Sequence, residues 1–178
     1  MTLRQAQGER EHEEPIEVMW AGKYIRAVRR GRWEYASRTN DVRAVVIIAE
    51  VEGKLVVIDQ PRVPIGKRCL ELPAGLVGDT DPNATVEGTA VKELEEETGY
   101  TAANVEVLGE FYSSPGMVAE SFTLVRATGL TRVGNGGGDD SEDIRVHLVE
   151  RSHIPGFVEQ MRREGIGIDV KLLMFMHF

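Results

Sequence analysis

Four carboxylates crowd into five consecutive positions in Lys92-Glu93-Leu94-Glu95-Glu96-Glu97-Thr98-Gly99-Tyr100, and a glycine follows almost at once. On a helix, Glu93, Glu96 and Glu97 stand at i, i+3 and i+4, so they share one face while Val91 and Leu94 turn toward a core and Glu95 points elsewhere. Like charges at this spacing each destabilise a bare helix by a few tenths of a kcal/mol. They also crowd its C-terminal end, where the macrodipole disfavours negative charge. A cation would offset both costs. Hard divalent ions take carboxylate oxygens, and Mg²⁺ in particular combines one or two carboxylates with water and substrate phosphates. The plain alternative is a solvated acidic face, and these residues by themselves leave both readings open.

Upstream, Glu71-Leu72-Pro73-Ala74-Gly75-Leu76 reads as a strand end stopped by Pro73 and turned at Gly75, leading through a loop into the acidic helix. Strand, loop and helix together resemble the signature of the Nudix hydrolases. That signature is a glycine, five residues, a glutamate, seven residues, then Arg-Glu-apolar-x-Glu-Glu-x-Gly-apolar. The second half matches except that Lys92 stands for arginine, which keeps the charge and loses the planar fork. In the first half Ala84 occupies the place of the first glutamate, and Gly75 lies three residues too far upstream. An insertion within Val77 to Asn83 accounts for the spacing, with Asp79 or Asp81 as a stand-in carboxylate.

Three further blocks are similar to the ADP-ribose pyrophosphatase branch of that family. Tyr112-Ser113-Ser114-Pro115-Gly116-Met117-Val118-Ala119-Glu120 resembles its Ser-Pro-Gly loop, which carries another glutamate, here Glu120. Gln60-Pro61-Arg62-Val63-Pro64-Ile65-Gly66 resembles its Gln-x-Arg-x-Pro-x-Gly segment, which makes Arg62 a phosphate ligand. Guanidinium suits the task because it pairs bidentately with phosphate oxygens and stays charged. Gly22-Lys23-Tyr24 and Arg32 to Thr39 look like the branch's N-terminal region. By that carry-over Trp33, and second to it Tyr24, stacks an adenine, Glu34 accepts from its amino group, and Arg38 reaches the phosphates. The competing reading of these aromatics is cross-strand packing.

The resemblance implies an α+β fold, a Nudix α/β/α sandwich with a mixed central sheet preceded by an N-terminal antiparallel hairpin. It also implies Mg²⁺-dependent hydrolysis, with Mn²⁺ as a possible substitute, of the diphosphate of ADP-ribose or a related nucleoside-diphosphate sugar. The metal ligands carried over are the Ala74 carbonyl, Glu93, Glu97 and Glu120. Glu96 orients the attacking water, and Glu120 is the base or a further ligand, so Glu96, Glu97 and Glu120 form the catalytic group. A GDP-mannose or ADP-glucose diphosphatase is the nearest alternative. A binding module that has lost catalysis, supported only by Ala84 and Lys92, is the next. In this branch the N-terminal sheet commonly exchanges between subunits, which implies a homodimer.

Composition is consistent with one enzyme domain: 178 residues, 42% hydrophobic, can bury a sizeable core. A net charge of −8 argues against nonspecific nucleic-acid binding, which needs a basic surface. The single cysteine, Cys69, excludes an internal disulfide and reads as a buried, inert thiol. No apolar run reaches the roughly eighteen residues of a membrane span, and the first fourteen residues lack an apolar signal core, so the chain reads as cytoplasmic.

The expected organisation is a disordered tail over 1–14 containing His12, an N-terminal hairpin region over 15–40 for base binding and dimerisation, and a catalytic domain over 41–178. Ile16 to Arg38 predicts a hairpin around Gly31, and Val42 to Ala49 with Leu55 to Asp59 another around Glu52-Gly53. Thr85 to Glu97 is the acidic helix, Val105 to Tyr112, Phe122 to Thr128 and Ile144 to Glu150 are strands, and Asn135 to Asp140 is a flexible loop. Ile154 to Glu164 and Asp169 to Phe178 are closing helices, the last a core or dimer-packing element. His147 and His153 lack metal-ligand spacing and read as structural or surface residues.

Overall fold

The computed structural model describes residues 14–40, 42–79, 81–139 and 142–176. The expected tail, with His12, lies outside them apart from Glu14. The chain divides into two compact units, Met1–Val42 with Tyr112–Ser121, and Arg43–Phe111 with Phe122–Phe178.

In the first unit the expected hairpin gains a third strand. β1 (Glu17–Ala21), β2 (Ile25–Arg30) and β3 (Trp33–Arg38) form an antiparallel sheet in chain order. Gly31, at φ 57°, turns β2 into β3 as its position suggested. The alternation read as one long strand is broken earlier, where the Gly22 N–H donates to the Ile25 carbonyl at 2.8 Å and folds β1 back on β2. The Ser-Pro-Gly segment belongs to this unit as well: the Ala36 N–H donates to Met117 and the Ala119 N–H to Ala36, both at 2.9 Å.

The second unit is built on β4 (Arg43–Val51) and β5 (Lys54–Arg62), joined by Glu52 and Gly53 at φ 53° and 77°. Two positive φ values in a two-residue loop match the right-handed twist of the strands on either side. Then come β6 (Lys67–Glu71), β7 (Ala74–Val77), helix α1 (Val86–Thr98), β8 (Tyr100–Tyr112), β9 (Ser121–Arg132), β10 (Arg145–Glu150), helix α2 (Ile154–Arg163) and β11 (Gly167–Ile168). The sheet runs β11-β6-β5-β4-β9-β8, with β10 also on β5 and β7 also on β4. β4 with β9 and β11 with β6 are parallel, and the pairs β4–β5, β5–β6, β4–β7 and β5–β10 are antiparallel, so the sheet is mixed. β5 runs three residues past its expected end, through Pro61. Proline is admissible there because β10 pairs with β5 only as far as Asp59, and no ladder bond from that side is lost.

Strand alternation creates two cores. Val45, Ile47 and Ala49 of β4 and Val56 of β5 join Ala90 and Leu94 of α1 on one face. Val46, Leu55 and Val57 join Ile154, Val158 and Met161 of α2 on the other. A sheet with a helix on each face is the sandwich the sequence led us to expect.

The last predicted helix is corrected. Gly167 and Ile168 pair with Cys69 and Leu70, which draws the chain into the sheet, and the Asp169 carboxylate then accepts from the Lys171 N–H at 2.8 Å. What remains is a 3₁₀ turn over Val170–Phe175, with Leu172 and Phe175 buried and Met174 exposed.

Candidate active site

Helix α1 begins where Thr85 Oγ1 accepts from the Gly88 N–H at 3.1 Å and ends at Gly99, left-handed at φ 75°. Ala90 and Leu94 seat it on the sheet, which turns Glu93 and Glu97 toward β7, the neighbour of β4. Glu97 is 4% exposed, and its carboxylate accepts from the Ala74 N–H at 3.0 Å. Burial pushes the Glu97 carboxyl up to about 8; the Ala74 N–H and Arg62 oppose the shift, and the charges of Glu93 and Glu142 add to it. Glu93 is also pushed upward, first by burial, against the pull of Lys92. Its side chain lies directly on Gly75, where a Cβ would come within 2.1 Å of Glu93 Cδ. Gly75 therefore leaves the room that the Glu93 carboxylate occupies, beyond any need of the turn.

Glu96 leaves this pair. It is about half exposed and takes the Lys92 ammonium at 2.7 Å, so the lysine in the signature's arginine position neutralises its own helix face. Arg62, from the end of β5, donates from Nε and Nη2 to the buried Glu71 carboxylate at 2.8 and 2.6 Å. That bidentate bond, ahead of the opposing effect of burial, holds the Arg62 pKa above its usual value.

These groups share one cavity of about 420 Å³, where Arg62 and the Ala74-Gly75 backbone meet Glu93, Glu96 and Glu97. Asp79 lines the same cavity, whereas Asp81 caps its own turn by accepting from the Asn83 N–H at 2.9 Å. Two more carboxylates in the cavity, Asp139 and Glu142, are absent from the sequence reading. The signal for them was the second acidic run, Asp139 to Asp143, directly after three glycines.

That glycine segment is no loose connector in its described part. The Gly137 and Gly138 N–H groups donate to the Glu97 and Glu96 carbonyls at 2.9 and 3.0 Å, and those of Val133 and Gly134 to Gly99 at 2.8 and 3.1 Å. They satisfy carbonyls that a helix end leaves open. The approach is so close that a Cβ on Gly136 would stand 2.4 Å from the Thr98 carbonyl carbon.

The expected base-binding residues lie in the first unit, and alternation divides them. Trp33 and Tyr35 share one face of β3, and Glu34 and Arg38 the other. Tyr24 sits before β2, exposed, with the Lys23 ammonium 4.8 Å from its ring centre. Arg38 and Glu120 are brought together, with Arg38 Nε donating to Glu120 Oε1 at 2.5 Å.

Among the described residues no three acidic, histidine or cysteine side chains converge tightly enough to enclose an ion. The donor set nonetheless suits a divalent cation: one buried and one half-buried carboxylate, mutually repulsive and both held above their ordinary pKa, adjoin backbone and further carboxylates in a polar cavity.

The family model of the NUDIX domain matches residues 39–163. A Caenorhabditis elegans protein named as a nudix hydrolase is 34% identical over 183 residues, covering 89% of this chain and 81% of the relative. The ADP-ribose pyrophosphatase of Bacillus subtilis (strain 168) is 41% identical over 78 residues, 43% of this chain and 40% of that one. The GDP-mannose pyrophosphatase of Pectobacterium atrosepticum is 32% identical over 114 residues, 60% of this chain and 57% of that protein. A crystal structure described as an ADP compounds hydrolase superposes with a TM-score of 0.67 over 90% of this chain and 89% of that one, at 21% identity, which shows a common fold. Acidic helix, glycine-backed glutamate and sandwich thus belong to a hydrolase. The chain is a member of the NUDIX family.

Proposed function

We propose that this hydrolase cleaves the diphosphate of ADP-ribose or a related nucleoside-diphosphate sugar, with water as nucleophile, giving a nucleoside monophosphate and a sugar phosphate. The observation that carries the reading is the cavity itself. It sets Arg62, a cation already fixed in orientation by Glu71, opposite the buried Glu97 carboxylate and the half-buried Glu93. A diphosphate needs both, a guanidinium for its oxygens and carboxylates to hold the cations that neutralise it.

Glu93, Glu97 and the Ala74 carbonyl would hold Mg²⁺ or Mn²⁺, which would supply charge neutralisation at the breaking P–O bond. Arg62 orients the phosphates. Glu96, partly exposed at the cavity wall, orients water. Two carboxylates compete to take the water's proton, Glu142 in the cavity and Glu120 in the Ser-Pro-Gly segment, where it is ion-paired with Arg38. Glu142→Gln and Glu120→Gln assayed side by side assign the role, the true base losing kcat with substrate affinity retained.

Trp33, about half exposed on its strand, is the candidate for base stacking, with Tyr24 second; Glu34 and Arg38, on the opposite face of β3, do not reach a base stacked on Trp33 of the same copy. The first unit's sheet also exposes Trp20 and Ile25 on the face that Ala27 shares, a surface suited to a second copy of the chain. The likeness to a GDP-mannose pyrophosphatase favours a second substrate reading within the same chemistry.

Incubation with Mg²⁺ or Mn²⁺ and, separately, ADP-ribose, ADP-glucose, GDP-mannose and a nucleoside triphosphate, followed by chromatography, tests the assignment. AMP and ribose 5-phosphate formed fastest from ADP-ribose supports it. A preference for another sugar nucleotide moves the substrate, and no hydrolysis with either metal leaves a nucleotide-binding module, with Ala84 as the lesion.

A further inference from the structure

Outside the cavity, the most heavily bonded cation among the described residues is Arg68, on β6. Its side chain is 14% exposed and spans two acids distant in sequence. Nε meets the Asp59 carboxylate and Nη2 the Asp59 carbonyl, the latter at 2.8 Å. Nη1 and Nη2 also grip Asp143, by its carboxylate and by its carbonyl, the latter at 2.7 Å. Asp59 is 1% exposed and is held from its other side by His147 Nε2 at 2.6 Å. Burial alone would raise the Asp59 carboxyl, but the bonds from Arg68 and His147 outweigh it and hold it below the usual range.

Asp143 directly follows Glu142. The loop bearing Glu142 thus has two anchors. One is the set of α1 carbonyls that bind Gly137 and Gly138; the other is Arg68 on Asp143. Between them the Glu142 N–H donates to the Asp139 carbonyl at 3.0 Å, and the Asp139 N–H donates back to Glu142 Oε2 at 3.1 Å.

Charge satisfaction of Asp59 does not explain this grip. The Asp143 side chain is 66% exposed, and such ion pairs add little to stability while ordering a long side chain. What the bidentate contact does provide is position, since a planar fork on a carboxylate and a carbonyl of one residue fixes its backbone as well as its side chain.

We infer that Arg68 is a positioning residue for the active site: seated on buried Asp59, it holds Asp143 and thereby sets Glu142 over the cavity without touching substrate. This rests on the reading of Glu142 as a working carboxylate of that cavity. Lysine cannot reproduce the fork, so Arg68→Lys lowers kcat by about 10- to 100-fold, the scale expected for misplacement of about an ångström, while KM changes less than about twofold. In a Glu142→Gln background the same substitution has no further effect on kcat.

Losses that multiply in the double variant, or an unchanged kcat in Arg68→Lys, overturn the inference. Asp143→Asn provides the same test should Arg68→Lys fold poorly. Hydrogen exchange supplies the readout independent of turnover. Amides of 137–139 and 142–144 exchange faster in either variant while those of α2 do not; equal exchange there overturns the clamp. Wild-type turnover distinguishes the two levels. If the wild type hydrolyses none of the sugar nucleotides, the hydrolase reading fails and exchange alone decides for or against the clamp.

Discussion

Glu97 shows how a side chain singled out by sequence gains its chemistry only from the fold. Its place in the acidic run marked it as a ligand candidate, but only the fold shows its burial and its bond to the Ala74 N–H. Its carboxyl rises from an ordinary value of 4.5 to about 8. A folded-state pKa above the unfolded one contributes stability that is complete below the unfolded value and is lost as pH climbs through the folded one. From this group, metal-free protein is therefore more resistant to urea at pH 5 than at pH 9, and saturating Mg²⁺ narrows that gap. A cation must also displace the proton, so its affinity rises with pH up to about 8 and binding below that releases close to one proton. Calorimetry in buffers of different ionisation enthalpy counts it, and no proton release at pH 6.5 would contradict the assignment. Gly75 yields a second prediction. An added methyl would stand 2.1 Å from Glu93 Cδ, so Gly75→Ala expels that carboxylate. Mg²⁺ affinity and kcat should both fall, kcat by about 10- to 100-fold, as for other small misplacements in a site. Normal metal titration of this variant would contradict the role given to Glu93.

Among the elements, helix α1 was legible despite its crowded carboxylates, because Leu94 marked an apolar side and Gly99 a stop; Thr85, read as its first residue, is its cap. The C-terminal segment was not, because the pairing of β11 with β6 is a long-range contact that outweighs the apolar pattern of Met174 to Phe178. The glycine-rich stretch misled for a related reason. Asn135 to Gly138 has the composition of a loose connector, yet its amides find the open carbonyls of α1, an acceptor row that no local pattern reveals. This docking brings Asp139 and Glu142 to the cavity, which is why both were missed. Gly136, at φ 67° and against Thr98, tests the point. Gly136→Ala should cost about 1–3 kcal/mol, from a strained conformation and a lost approach, measured as a shift in urea midpoint. Gly156→Ala is the internal control, because a Cβ there meets nothing within 4 Å. Equal midpoints for the two variants would mean that the loop does not depend on this contact.

At the scale of the whole molecule, the four motif blocks that point to one activity fall in two compact units. Arg62 and the acidic helix lie in one, the aromatic strand and Glu120 in the other. Linear sequence could name these residues because their spacing is a property of the family. Strand alternation already places Trp33 and Glu34 on opposite faces, but it could not show that Arg38 is paired with Glu120, since that depends on the Ser-Pro-Gly segment docking beside β3. Charge is the property that acts across the entire chain. A net −8, with Glu93, Glu96, Glu97, Asp139 and Glu142 in the cavity, should repel a diphosphate, and Arg62 is already engaged by Glu71. Two unit charges 4 Å apart interact by about 4 kcal/mol at an effective dielectric of 20, so several such pairs exceed what one arginine can offset. Binding and turnover should then both require a divalent ion. Excess chelator is expected to abolish hydrolysis and to weaken ADP-ribose binding by at least about tenfold, with Mg²⁺ or Mn²⁺ restoring both. A defect confined to turnover would mean that the ion serves chemistry alone and that residues other than Arg62 meet the substrate's charge. Full activity in chelator would remove the metal, and with it the reason this acidic helix exists.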